Sequence, residues 1–267
     1  MHRFILSIIT FFTISNSVYS QSTASVNVST FTIEAPQLKT FKKIWVYLPK
    51  RYKNSTESYP VFYMHDAQNL FDAETSYVGE WKIDEYLDSI SKKEIIVIGI
   101  EHGNEKRIDE LTPFPNTKYG GGKGDDYLLF VKNTLKPHID ITYRTKPEAL
   151  NTTIFGSSLG GLLSFYAALK YPETFGIAGV FSPSFWFSDA ILSFINTTAL
   201  NKDTKLFILA GTDESETIVE EVNNVIQLLY KNGLSKENIN TLIIDNGKHN
   251  EAFWSEYFPQ AHQWILN

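Results

Sequence analysis

The segment Gly156-Ser157-Ser158-Leu159-Gly160 constrains this chain more than any other. It matches G-x-S-x-G, and its flanks give the match a mechanical meaning. Asn151-Thr152-Thr153-Ile154-Phe155 is a β-branched, apolar run that reads as a strand, and Gly161-Leu162-Leu163-Ser164-Phe165-Tyr166-Ala167-Ala168-Leu169-Lys170 reads as a helix. Between them the chain must turn within a few residues, and the small residues around Ser158 permit that turn. A serine on such a strand-to-helix elbow is lifted to the end of a sheet, where its hydroxyl can act as a nucleophile. The plainer alternative is a small-residue helix cap without chemistry.

A nucleophilic serine needs a base, and the base needs an orienting acid. In strand–elbow–helix proteins the chain order is Ser, then Asp or Glu, then His. Lys205-Leu206-Phe207-Ile208-Leu209-Ala210-Gly211 reads as a strand, and Asp213, Glu214 and Glu216 follow it in one loop before a helical stretch near Ile218. Spacing alone does not choose among these acids. Thr241-Leu242-Ile243-Ile244-Asp245 reads as the last strand, followed by Asn246-Gly247-Lys248-His249 and an aromatic-rich helix. Of the six histidines, His2 falls in the leader, His65 and His102 follow earlier strands, and His138 and His262 sit in helical runs. His249 alone is late, on a loop and preceded by Gly, so it is the expected base.

The remaining chain supplies the framework. Thr30-Phe31-Thr32-Ile33-Glu34 and Lys43-Ile44-Trp45-Val46-Tyr47-Leu48 alternate as half-buried antiparallel strands do. Strands are expected near 60–64, 94–100, 151–156, 177–182, 204–210 and 240–245. Helices are expected near 81–92, 125–138, 159–171, 216–231 and 250–265. Strands alternating with helices predict an α/β fold with a mainly parallel sheet of eight strands covered on both faces. A hydrophobic fraction of 43% is ample for one large core, and a net charge of −6 argues against nucleic-acid partners. The absence of cysteine excludes disulfides, thiolate metal sites and cysteine nucleophiles.

Several segments together resemble the esterase branch of the α/β-hydrolases, the enterochelin-esterase-like, feruloyl-esterase-like and esterase-D-like proteins. They are Tyr63-Met64-His65-Asp66-Ala67-Gln68-Asn69-Leu70-Phe71-Asp72, Glu80-Trp81-Lys82-Ile83-Asp84, Arg107-Ile108-Asp109-Glu110-Leu111-Thr112-Pro113, Leu135-Lys136-Pro137-His138-Ile139-Asp140, Tyr143-Arg144-Thr145, Phe155 to Gly161, and Gly247-Lys248-His249. The resemblance runs from about Phe41 to Trp264. It implies an α/β-hydrolase fold and a cofactor-free, metal-free serine esterase acting through an acyl-enzyme. It points to Glu214, three residues after Gly211, as the acid, with Asp213 in reserve. An oxyanion hole needs two amides. The residue after the nucleophile, Leu159, supplies one, and the resemblance assigns the other to Gln68 or its neighbour Ala67, which stands where the family commonly has Gly. The substrate classes it suggests are acetyl or feruloyl esters on carbohydrate, and alternatively a siderophore trilactone. Acyl transfer to an alcohol, or a carbohydrate-binding protein on an inactive fold, are the competing readings.

Substrate contacts are expected from Asp66, Trp81, Arg107, Trp186 and Trp254. Ser182-Pro183-Ser184-Phe185-Trp186-Phe187-Ser188 carries three consecutive aromatics after a strand, and some of them are expected to form a pocket wall. The long loop from Glu101 to Gly124 is of functional length, and within it Arg107 and Glu110 are candidates to pair as a brace. Finally, Met1-His2-Arg3, the apolar stretch Phe4 to Ile14 and Val18-Tyr19-Ser20 have the layout of a secretory signal peptide over residues 1–20. This leaves 21–267 as one domain, secreted or periplasmic, without stable membrane insertion. Its oligomeric state is not legible.

Overall fold

The computed structural model describes residues 22–267 with the exception of Ser91. The expected leader over residues 1–20 lies outside the described residues. The strands are β1 (Val28–Ala35), β2 (Thr40–Tyr47), β3 (Val61–His65), β4 (Ile96–Ile100), β5 (Thr152–Ser157), β6 (Ile177–Phe181), β7 (Lys205–Gly211) and β8 (Ile239–Ile244). They form one eight-stranded sheet in the order β1-β2-β4-β3-β5-β6-β7-β8. β1 pairs with β2, and β2 with β4, antiparallel; every other neighbour is parallel. Each expected strand is present within a few residues of its expected position.

The sequence explains which strands sit inside. β3, β4, β5 and β6 are buried along their whole length and are near-continuous apolar runs, because both faces of a parallel sheet are covered. β1 at one edge alternates between exposed and half-buried positions, as an edge strand does. Successive residues point to opposite faces. Val61 and Tyr63 of β3 therefore join one apolar cluster, while Phe62 and Met64 join the other.

The helices are α1 (Ile83–Ser89), α2 (Arg107–Leu111), α3 (Gly124–Phe130), α4 (Lys136–Thr142), α5 (Leu159–Lys170), α6 (Ala190–Thr197), α7 (Ile218–Lys231) and α8 (Glu251–Ile265). α1 and α8 cover one face through Ile83, Leu87, Phe258 and Ile265. α2 to α7 cover the other, with α5 against β5 and β6. The single helix expected over 125–138 is instead α3, a π-helical turn at Val131–Leu135 and α4, which runs on to Thr142. Pro137 explains the interruption, since it has no amide to return to the preceding turn. α2 and α6 arise in stretches where no helix was expected. Among the described residues, no helix is long and apolar enough to cross a membrane.

Candidate active site

β5 ends at Ser157 and α5 begins at Leu159, so Ser158 alone makes the turn. Its backbone is at φ 57, ψ −123, a conformation that costs a non-glycine residue on the order of 1–3 kcal/mol. Two features hold it there. The Ser158 amide donates to Phe181 O at 2.9 Å, and the Ser158 carbonyl accepts from the Leu162 and Ser184 amides at 3.0 and 3.2 Å. Glycines also clear the space: a Cβ on Gly156 would lie 2.8 Å from both Gly160 and His65, and one on Gly161 would lie 2.6 Å from Phe181 O.

Glu214 and His249 are brought together by a close approach of two loops. A Cβ on Gly211 would fall 2.2 Å from Gly247 O, so the chains touch there because both residues are glycine. The Asp213 amide donates to Gly247 O at 3.0 Å and the Thr212 amide to Ile244 O at 3.0 Å. Laced in this way, the loop after β7 presents Glu214 inward and Asp213 to solvent. His249 Nδ1 donates to Glu214 Oε2 at 2.9 Å, and the Glu214 side chain is only 2% exposed. Glu214 Oε1 accepts from the Gly211 amide and from Ser182 Oγ, both at 2.6 Å. Trp254 Nε1 in turn donates to Ser182 Oγ at 2.7 Å, and the Trp254 ring meets the His249 ring edge-on at 5.0 Å. Between the neighbouring acids, geometry therefore singles out Glu214.

Ser158, His249 and Trp254 line one cleft of about 660 Å³ at the carboxyl end of the sheet. In this structure the Ser158 hydroxyl lies 3.3 Å from Ser184 Oγ and makes no hydrogen bond to His249. The amides expected to form an oxyanion hole are positioned by two separate devices. Leu159 is the first residue of α5, so its amide has no partner in the preceding turn. Gln68 lies in the 3-10 turn Ala67–Asn69, which follows the left-handed Asp66 (φ 55). Among the described residues, neither amide hydrogen-bonds a protein acceptor. Ala67, where glycine is common, does not crowd the cleft. It is buried, and its methyl occupies room left by Gly99, where a Cβ would lie 2.9 Å away.

The expected substrate contacts divide. Trp81 and Trp254 both line the cleft with ring centroids 5.7 Å apart, and most of each ring is buried. Asp66 and Arg107 also line it, but they engage each other: Nε and Nη2 of Arg107 donate to Oδ1 and Oδ2 of Asp66 at 2.7 and 2.8 Å. Burial opposes charge on Asp66, yet the Arg107 guanidinium prevails and holds the carboxyl below its usual range. The Arg107–Glu110 brace does not form. Glu110 points into the protein, where it meets Lys42 Nζ at 2.6 Å and the Gly103 amide at 2.9 Å. Trp186 lies outside the cleft lining and is 53% exposed, while Phe185 and Phe187 on either side are buried. A 3-10 turn spreads three successive side chains around its axis, so one of three must face outward.

Sequence reasoning missed Ser182, Ser184 and Glu251. Ser182 has φ 45 immediately after β6, a left-handed residue at a strand exit like Asp66 and Ser158. Its role depends on β6 lying between β5 and β7, and no local pattern reveals that.

Residues 35–265 match the family described as "Putative esterase". The chain is 28% identical to the Bacillus subtilis protein YbbA, over 84% of this chain and 92% of that one. It is 24% identical to the endo-1,4-beta-xylanase/feruloyl esterase of Xylanibacter ruminicola, over 83% of this chain and 29% of that protein. Its fold superposes on the enterobactin esterase of Shigella flexneri with a TM-score of 0.74 and 18% identity, covering 91% of this chain and 58% of that one. A sheet of this order with the elbow at β5, and a family match spanning nearly all of it, place the chain in the Putative esterase family of the α/β-hydrolase fold.

Proposed function

We propose that this protein is a secreted serine esterase that hydrolyses carboxylic esters on carbohydrate, acetyl or feruloyl, through an acyl-enzyme. The observation that carries the reading is the Glu214–His249 hydrogen bond, made between two loops and opening into the cleft that holds Ser158. The reaction requires the Ser158 hydroxyl to turn away from Ser184 and toward His249, which lines the same cleft. Ser158 Oγ then attacks the ester carbonyl while His249 Nε2 takes its proton. The Leu159 and Gln68 amides receive the developing oxyanion, each contributing about 3–4 kcal/mol to the transition state. The bond to the alcohol oxygen breaks, and His249 returns the proton to the departing alcohol. Water adds to the acyl carbonyl as His249 takes a proton from it, and collapse releases the acid and restores Ser158. Glu214 keeps Nδ1 protonated throughout, so that Nε2 faces the serine.

Support for a carbohydrate ester comes from the aromatic walls of the cleft and from the likeness to a protein named xylanase/feruloyl esterase. Support for export comes from the basic, apolar and small-residue layout of residues 1–20. Replacing Ser158 by Ala should abolish reaction with a fluorophosphonate probe and reduce kcat on p-nitrophenyl acetate by about 10⁴-fold or more. Retained turnover in that variant would end the serine reading. Signal cleavage is checked separately, by N-terminal sequencing of exported protein, which should begin at Gln21.

A further inference from the structure

One buried titratable group in the cleft has no part in the steps above. Glu251 opens α8, two residues after His249, and lines the same cleft as Ser158. An acidic residue in the first turn of a helix is ordinary, but such residues are usually solvated, and Glu251 is only 5% exposed. Asn69 is the only side chain among the described residues that hydrogen-bonds it, Nδ2 donating to Oε1 at 3.2 Å. Gly79 closes against it, since a Cβ there would lie 3.3 Å from Glu251 Cβ. Arg107 is near enough to be felt, but both of its donors observed in hydrogen bonds are committed to Asp66. A buried carboxyl whose partners are one side-chain amide and its own helix amide, with no ion pair, gains from a further donor.

Position says what that donor is. His249 delivers its proton to the departing alcohol, so a carboxyl two residues away stands beside the alcohol half of the ester, not the acyl half. The titratable groups that bear on Glu251 are Asp66, His249 and Arg107, and the Asp66–Arg107 pair cancels. An anionic alcohol half meets no uncommitted cation there. A neutral alcohol bearing a second hydroxyl next to the ester oxygen can donate that hydroxyl to the carboxylate while lying against Trp81 and Trp254. Resting on the esterase reading above, we propose that Glu251 is a specificity-determining residue that selects monoesters of vicinal diols, such as a partly acylated sugar, by accepting the hydroxyl beside the ester.

The test compares two substrates sharing one acyl group: methyl 2-O-acetyl-β-xyloside, with a free hydroxyl beside the ester, and ethyl acetate, with none. In the wild type kcat/KM should favour the xyloside, and Glu251→Gln should lower the ratio of the two by about fivefold to tenfold, the difference between a charged and a neutral acceptor. The ratio is internal to each protein, so partial misfolding does not affect it. A second measurement needs no variant. Burial raises the Glu251 carboxyl, its own helix amide lowers it, Asp66 raises it, and His249 and Arg107 lower it; the net position lies above the ordinary glutamate range. The wild-type ratio should therefore climb with pH as that carboxyl ionises. A ratio that is unchanged in the variant and flat with pH, in an enzyme that hydrolyses both esters, overturns the role of Glu251 and leaves the esterase reading standing. A wild type that hydrolyses neither these acetates nor the matching feruloyl esters removes both.

Discussion

The two ends of the sheet both carry clefts, and their difference shows where this fold stores strain. At the carboxyl end β3, β5 and β6 each leave through a left-handed, non-glycine residue: Asp66 (φ 55), Ser158 (φ 57) and Ser182 (φ 45). At the amino end a cavity of about 440 Å³ is lined by Arg51, Glu57, Lys93, Glu94, Lys146 and Lys205. There the chain enters β3, β5, β6 and β7 without such a residue, and Lys93 ahead of β4 is the exception. Each left-handed side-chain-bearing residue costs about 1–3 kcal/mol. At the carboxyl end these residues set Ser158 and the turn that carries Gln68 in one cleft, and Ser182 holds the Glu214 carboxylate behind it. At the amino end long charged side chains meet water, and the Arg51–Glu94 pair at 2.8 Å serves as a surface tether. Constrained backbone separates the ends more sharply than cavity size does.

The sharpest way to break this contrast is on the acid loop, where two adjacent carboxylates differ only in direction. Glu214→Gln should lower kcat/KM by about 10³- to 10⁴-fold, because an amide at that place favours the wrong histidine tautomer. Asp213→Asn should stay within about twofold, since that side chain faces solvent. Comparable losses in both variants would mean that burial does not select the acid.

A smaller effect tests the Asp66–Arg107 pair, expected from sequence to contact substrate and found instead locked together. Arg107→Lys keeps the charge but cannot make both hydrogen bonds. If the pair braces the turn that carries the Gln68 amide, kcat should fall by about tenfold or more with KM little changed, because a slight displacement of an oxyanion donor is costly. A rise in KM alone would restore direct substrate contact. Arg51→Lys at the opposite end should change neither constant, as suits a side chain that is 60% exposed.

What sequence could and could not convey follows the same division. The elbow and all eight strands were legible, because each is written in a local pattern of apolar period, turn residues and spacing. The long-range contacts were not. Glu110 turned to Lys42, 68 positions away, and no pattern around Arg107 announces that. Ser182 reaches Glu214 only because Phe181 of β6 lies opposite Leu209 of β7, a register set by the whole sheet. Trp186 was expected in the pocket because three consecutive aromatics follow a strand, but the pitch of a three-residue turn carried it outward. Glu251 drew no reading from the sequence, and its burial depends on Asn69 and Gly79, both distant along the chain.

The last and smallest effect uses a buried histidine at each end of the molecule. His65, at the carboxyl end of β3, donates to or accepts from Tyr127 Oη at 2.9 Å, and its Nε2 is buried without a partner. His262 in α8, near the opposite end, donates from Nε2 to Lys93 O at 2.9 Å and accepts at Nδ1 from Tyr86 Oη at 3.0 Å. Burial lowers both to about 4, against 6.5 in an unfolded chain. Between those values the unfolded state binds the proton and the folded state does not. The stability each neutral ring contributes is therefore complete above pH 6.5 and is lost as pH falls toward 4, at about 1.4 kcal/mol per pH unit for each. Asp84 runs the other way: burial foremost raises it to about 8, so its protonated form favours the folded state as pH falls. Differences between proteins isolate the histidines from this opposing group. Urea midpoints for His262→Gln and wild type should converge as pH drops from 6.5 to 5, by about 1.4 kcal/mol per unit, and His65→Gln should converge equally. A gap between variant and wild type that stays constant with pH would mean that the ring is charged in the folded protein, and at His65 that would put an imidazolium against the floor of the cleft.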